Sequence, residues 1–381
     1  MLKFRIRTVA VLTVVVVVCF GAQAQDQRSA AVSQAVTTIA AAQSNSVLSA
    51  LPDADTLIYI NPQRILNDAA PKVLSEGDVA KMRQQFGDLK RTVGVDPSQI
   101  EFVVMAVRFH RPSADLTFQA PEFLIVSSGD FSAESFLTLA RLGLQEKLRE
   151  EKYGSKTLAE TTIDDIARQA EKNPFLKSFS EIAMVALNSN TLAAGSVSYV
   201  KAAIDAVDGR DRINQTTLNS LLRDPNALIS MAGSPWSSFA KSFGLMGTVA
   251  APRAAKCDLG LGDFYAAVTI EGANFKLRGA MNADNPDTAK IISNLLGGFL
   301  KSMAPENGDA KSFPSMLRRM SLVARDNEVV LDAEFPQQMV ADLIREHMKP
   351  KQQITTTKPA EVTSPVKKPR RTIRRRRAGT H

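Results

Sequence analysis

Asp53-Ala-Asp-Thr-Leu-Ile-Tyr-Ile60 lies without gaps on Asp224-Pro-Asn-Ala-Leu-Ile-Ser-Met231. Each stretch is a short apolar run preceded by acidic and turn-forming residues, the pattern of a buried strand. Downstream, the correspondence continues. Phe102 falls on Phe264, Phe123 on Phe275, a helix ending at Leu148 on one ending at Leu300, and a hairpin over 182–197 on one over 320–335. The hairpin turns carry Asn188-Ser-Asn190 and Arg325-Asp-Asn-Glu328, residues that favour tight turns. The offset shrinks along the chain, so the second copy has the shorter connections, chiefly through loss of the 149–180 stretch.

Helical spacing fills the gaps between these strands. Val79, Met82, Phe86 and Leu89 make one stripe, Phe136, Leu137, Ala140 and Leu144 a second, and Tyr199, Val200, Ala203, Ile204 and Val207 a third. In the second copy Ala289, Ile292, Leu296 and Phe299 recur likewise, and Pro336 opens a last helix with Met339, Val340, Leu343 and Ile344 on one face. Lys156–Ile166 is polar and β-branched, the pattern of an edge strand. The reading is an α+β fold: two tandem β-α-β-β-α-β-β-α repeats, 48–209 and 210–348, with mainly antiparallel sheets and helices packed on one face. A split βαβ, ferredoxin-like arrangement is the natural comparison, with the two sheets joined edge to edge.

The ends of the chain differ from its body. Lys3, Arg5 and Arg7 precede a 13-residue apolar run, Thr8–Phe20, and Ala22-Gln-Ala24 forms a small-residue cleavage site. Residues 1–24 therefore read as a secretory signal peptide, too short in its apolar run for the ~20 residues of a spanning helix. This predicts export to the periplasm or medium. Cys19 raises a lipoprotein alternative, which Val16-Val-Val18 in front of it disfavours. Residues 25–47 are an Ala/Ser/Gln-rich linker. Cleavage leaves Cys257 as the single cysteine, so an apolar core rather than a disulfide must hold the body together.

Residues 349–381 hold eleven Lys or Arg, one acid and four prolines. With +8 for the whole chain, +3 for residues 1–24 and +10 for this tail, residues 25–348 carry −5. The tail buries too little apolar surface to fold and reads as a disordered, solvated arm. Lys367, Lys368, Arg370, Arg371, Arg374, Arg375, Arg376 and Arg377 are its candidate polyanion-binding residues, acting by counterion release. With export, the expected partner is an anionic envelope polymer or membrane surface. Nucleic acid ranks behind these, since the tail lacks aromatics to stack on bases. A protein partner for the body is the other expectation, and the oligomeric state stays open.

No catalytic motif emerges. His110, His347 and His381 are the only histidines, and no zinc-ligand spacing, P-loop or nucleophile elbow occurs. Neither a cofactor nor a metal is expected. Glu160 with Asp164 and Asp165 has the composition of a hard-cation or acid–base site, although a solvated strand end or helix start explains it as well. Asp284-Asn-Pro-Asp287 reads as a helix start, Gly260-Leu-Gly262 as a strand entry or turn, Arg108-Phe-His-Arg111 as a basic strand end, and Trp236 as a packing residue. The sequence "LPDADTLIYIN" over 51–61, followed by two α+β units behind a signal peptide, resembles uncharacterised exported bacterial proteins with a duplicated α+β domain. That resemblance implies the layout and transfers no site residues. The leading functional expectation is a non-enzymatic binding or structural protein tethered by its tail. The alternatives are a cryptic hydrolase or metal-dependent enzyme with its site between the repeats, and a polyanion binder acting mainly through the tail.

Overall fold

The computed structural model describes residues 46–93, 96–109, 121–144, 147–163, 177–234, 261–303 and 313–348. They build one twelve-stranded antiparallel sheet with helices on it, an α+β fold. In chain order the strands are β1 (Thr56–Ile60), β2 (Ile100–Arg108), β3 (Glu122–Gly129), β4 (Leu148–Tyr153), β5 (Lys156–Thr162), β6 (Glu181–Asn188), β7 (Thr191–Ser196), β8 (Ile229–Gly233), β9 (Leu261–Glu271), β10 (Asn274–Ala283), β11 (Ser321–Arg325) and β12 (Glu328–Pro336). The longer helices are α1 (Glu76–Val93), α2 (Ala133–Leu144), α3 (Val197–Val207), α4 (Gln215–Leu221), α5 (Pro286–Met303) and α6 (Gln337–Met348). Across the sheet the order is β11-β12-β10-β9-β8-β1-β2-β3-β7-β6-β5-β4.

Local chemistry sets the turns. The β6–β7 hairpin closes where the Asn190 amide donates to the Asn188 side chain at 3.0 Å. Gly272 at φ 59 and Asp326 at φ 49 supply the left-handed backbone that the two-residue β9–β10 and β11–β12 turns require. At the middle of the sheet β1 and β8 pair antiparallel, with Ile58 opposite Met231 and Thr56 opposite Gly233. Gly233 is obligatory there: a Cβ would stand 2.1 Å from the Asp55 carbonyl oxygen.

The two sheet faces are covered differently. On the front face, Leu57, Phe102, Val104, Leu124, Val126 and Val185 form one core with Tyr199, Val200, Ala203 and Ile204 of α3 and Leu218 and Leu221 of α4. On the back face α2 places Ala133 and Leu137 over Ala159, Met184 and Leu192. Further along, α5 covers Met281, Ala283 and Val329 with Ala289 and Ile292. There too α6 and the helical segment 62–73 cover Phe275, Ala333 and Phe335. Segment 62–73 contains a π turn over Ile65–Ala69, where the Ala70 amide reaches back to Ile65 just before Pro71.

The expectation of helices on one face is thus corrected: α3 and α4 lie in front, α2, α5 and α6 behind. The reason is in the strands. Val103 and Val104, or Met184 and Val185, are adjacent and both buried, so neighbouring residues point to opposite faces and both faces need cover. Two boundaries differ as well. The helix expected to run to Leu148 stops at Leu144, and Leu148 opens β4. The strand beginning at Lys156 is second from the edge, because β4 pairs outside it.

Candidate functional site

The densest group of interacting titratable side chains sits on the front face where β4 and β5 meet α3. Alternation along β4 puts Arg149, Glu151 and Tyr153 on the α3 side. Register then sets Arg149 opposite Glu160 and Glu151 opposite Leu158. Leu158 is fully buried and anchors β5 beneath α3. Helical spacing brings Lys201 and Asp205 of α3 onto one side of that helix. Lys201 Nζ donates to both carboxylate oxygens of Glu151, at 2.7 and 2.8 Å, and stands 5.5 Å from the Tyr153 ring centre. The Tyr153 hydroxyl donates to Asp205 Oδ2 at 3.0 Å, and Arg210 closes the chain with an ion pair to Asp205 at 2.6 Å.

Glu160 is the member of this group singled out in the sequence. Its Oε1 is buried with no hydrogen-bond donor, and Glu151 is its diagonal neighbour across β4–β5. Desolvation, and then a hydrogen bond to and repulsion from Glu151, push the Glu160 carboxyl above its ordinary value. Lys201, and then Glu160, hold Glu151 below its own. The Tyr153 hydroxyl is pushed up by its hydrogen bond to the Asp205 carboxylate. Chemically this is a lysine-clamped carboxylate pair able to share one proton. Asp164 and Asp165, which the sequence set beside Glu160, lie outside the described residues.

The other candidates take different places. The Arg108 guanidinium donates twice to Glu122 Oε2, at 2.8 and 2.6 Å, and lies 4.5 Å from the centre of the Tyr199 ring. Ser198 donates to the other Glu122 oxygen, and the Tyr199 hydroxyl donates to the Asp53 carbonyl at 2.8 Å. This partly buried knot ties the end of β2 and the start of β3 to α3. Asn285 caps α5 by accepting from the Thr288 amide, so 284–287 is a helix start. Leu261 opens β9. His110, Arg111, Trp236, Cys257 and the tail residues Lys367, Lys368, Arg370, Arg371 and Arg374–Arg377 lie outside the described residues.

A small depression of about 240 Å³ lies between segment 46–52, α3 and the β6–β7 turn, lined by Val47, Leu51, Leu187, Ala203 and Arg212 among others. Arg212 is already engaged, donating to the carbonyls of Ala206 and Val207 at the end of α3. Among the described residues no three His, Cys, Asp or Glu side chains come together as a metal site, and no helix is long and apolar enough to cross a membrane.

Sequence reasoning missed Glu151, Lys201, Tyr153 and Asp205. Their signal was present but distributed: charges of both signs along Leu148–Tyr153, and a basic and an acidic residue four apart on α3. No protein-family model matches the chain, and no curated protein matches it significantly. Among solved structures it is similar to crystal form III of TP0453, with TM-score 0.41 and 11% identity over 79% of this chain and 97% of that one. Crystal form I of TP0453 gives TM-score 0.39 and 11% identity over 79% and 96%.

Proposed function

We propose that the chain is an exported binding or structural protein without catalytic function. In this reading the broad sheet presents a surface to a protein or envelope partner, and residues 349–381 tether it to anionic polymer or membrane. The observation that carries this is the partition of charge, +10 in residues 349–381 against −5 in residues 25–348. Clustered arginines make bidentate contacts with phosphate or carboxylate, while an acidic body adds none. Engaging about six to eight of these charges makes affinity fall several-hundred-fold or more between 50 and 200 mM salt.

The experiment is a salt titration on anionic liposomes and on duplex DNA, using full-length protein, a chain ending at 348, and a quadruple Arg374→Ala, Arg375→Ala, Arg376→Ala, Arg377→Ala variant. Weakened binding and a flatter salt slope in both altered proteins are expected. Unchanged affinity after deletion of the tail would remove the tether. Preference for DNA over liposomes at equal charge would favour the polyanion-binding alternative. Export itself is tested by intact mass from the native host, with a chain beginning at Gln25 expected.

The duplication belongs to the same proposal. Outward from the central β1–β8 pair, the order is β2, β3, β7, β6 on one side and β9, β10, β12, β11 on the other. That order supports descent of the halves from one unit, with β4–β5 inserted in the first. Expression of 48–209 and of 210–348 as separate chains tests whether each half keeps a fold of its own.

A further inference from the structure

The β4–β5 hairpin is held to the rest of the sheet by a narrow joint. It pairs with β6 over four positions, Ala159 to Thr162, against six within the hairpin itself. Glu160 stands inside that joint, opposite Ala183 of β6. Its Oε1 is buried without a donor from the protein. A proton on this half-buried carboxyl would relieve the uncompensated charge at Oε1 and let the group donate to a neighbouring acceptor. Glu151, the diagonal neighbour across β4–β5, is the acceptor that this register offers, and Lys201 holds it with two hydrogen bonds.

We infer that one proton shared by Glu151 and Glu160 latches the β4–β5 hairpin onto β6 and α3, and that its loss loosens this edge of the sheet. The charged groups facing the pair are Arg149 on β4, Lys201 and Asp205 on α3, and Arg210 beyond α3, with Tyr153 as the neutral link. The strand uncovered by opening, β6, is the apolar Glu181–Asn188 run with Ile182, Ala183, Met184 and Val185 buried. Opening therefore converts a charged sheet edge into an apolar one able to pair with another strand.

The sign of the pH dependence follows from the two carboxyls. Glu160 lies above 4.5 in the folded protein, so its contribution is complete at low pH and is lost as pH rises through its raised value. Glu151 lies below 4.5, so its clamp to Lys201 is complete at higher pH and is lost as pH falls through its lowered value. Attachment is firmest between the two and weakens on the neutral side.

Hydrogen exchange of the full chain, corrected for intrinsic rates, tests the latch. Protection in peptides spanning 156–162 and 181–188 is expected to fall by roughly threefold or more from pH 5 to pH 8 relative to peptides from β1 and β2. Glu160→Gln, neutral at all pH and still a donor, is expected to keep the low-pH protection throughout. A pH response in the variant equal to that of the wild type, or a wild-type hairpin that tracks β1 and β2, overturns the inference. Carboxyl ¹³C titration of wild-type protein gives a second reading that does not depend on the variant folding. Two separated steps for Glu151 and Glu160 are expected, and two ordinary independent carboxylates would overturn it.

Discussion

The two halves of the sheet use the same strand order but meet solvent differently. Around β2, β3, β7 and β6 both faces are buried, and the strands read as near-continuous apolar runs such as Phe102-Val-Val-Met-Ala106 and Ile182-Ala-Met-Val-Ala186. Around β10 and β12 the back face is packed and the front face is largely open beyond Ala280. There the sequences alternate: Phe275, Leu277 and Gly279 lie behind, Lys276 and Arg278 in front, and Asp332 and Glu334 stand opposite them. Lys276 and Arg278 both pair with Glu271, which holds the Glu271 carboxyl below its ordinary value, Lys276 contributing most. A continuous apolar run thus marks a strand inside three layers, and alternation marks one whose outer face is wet.

Two tyrosines covered by arginines, one in each half of the chain, test this contrast, and urea unfolding measures each. Tyr199→Ala empties a fully buried site beneath Arg108 and is expected to cost about 3–5 kcal/mol. Tyr265→Ala, half-buried on β9 beneath Arg223, is expected to cost about 1 kcal/mol. Equal costs would break the contrast. At the seam between the halves, Gly233→Ala forces a Cβ against the Asp55 carbonyl, with a cost of about 3 kcal/mol and a loss of amide protection confined to β1 and β8. A cost below the detection limit would mean that the seam yields freely.

Smaller effects sharpen the picture. Glu122→Gln weakens the charge-assisted bonds to Arg108 within the front-face knot and is expected to cost about 2 kcal/mol. Tyr199→Phe leaves the Asp53 carbonyl without its donor, at about 1 kcal/mol. Arg278→Ala on the open face, where the side chain is half exposed, is expected to cost less than about 0.5 kcal/mol, vanishing in 1 M salt. A large loss at Arg278 would indicate that the charged face is covered in solution.

Strands with a plain apolar signal were legible in the sequence: 56–60, 100–108 and the 182–197 hairpin fall close to where periodicity places them. β4 was not, because Leu148-Arg-Glu-Glu-Lys-Tyr153 has almost no apolar content and is held by its partner strand and by Lys201 rather than by its own burial. α4 was missed for a related reason. Its seven residues, Gln215-Thr-Thr-Leu-Asn-Ser-Leu221, carry two buried leucines and an Asn214 cap, too little for a periodic signal. Of the carboxylate group, Glu160 was visible as one acid near others. The pairing with Glu151 depends on strand register, and the clamp depends on α3 folding back across the hairpin. Neither is a property of any short window of sequence.

The strand that ends up at the centre of the sheet is the border of an unfinished one. Before residues 229–233 have joined the sheet, β1 has β2 on one side and nothing on the other, since its second neighbour is β8. Thr56-Leu-Ile-Tyr-Ile60 is then a bare apolar edge with no charged residue in it, the kind of border that recruits stray strands. Until residues 229–233 pair with it, a partly folded chain therefore carries this border uncovered.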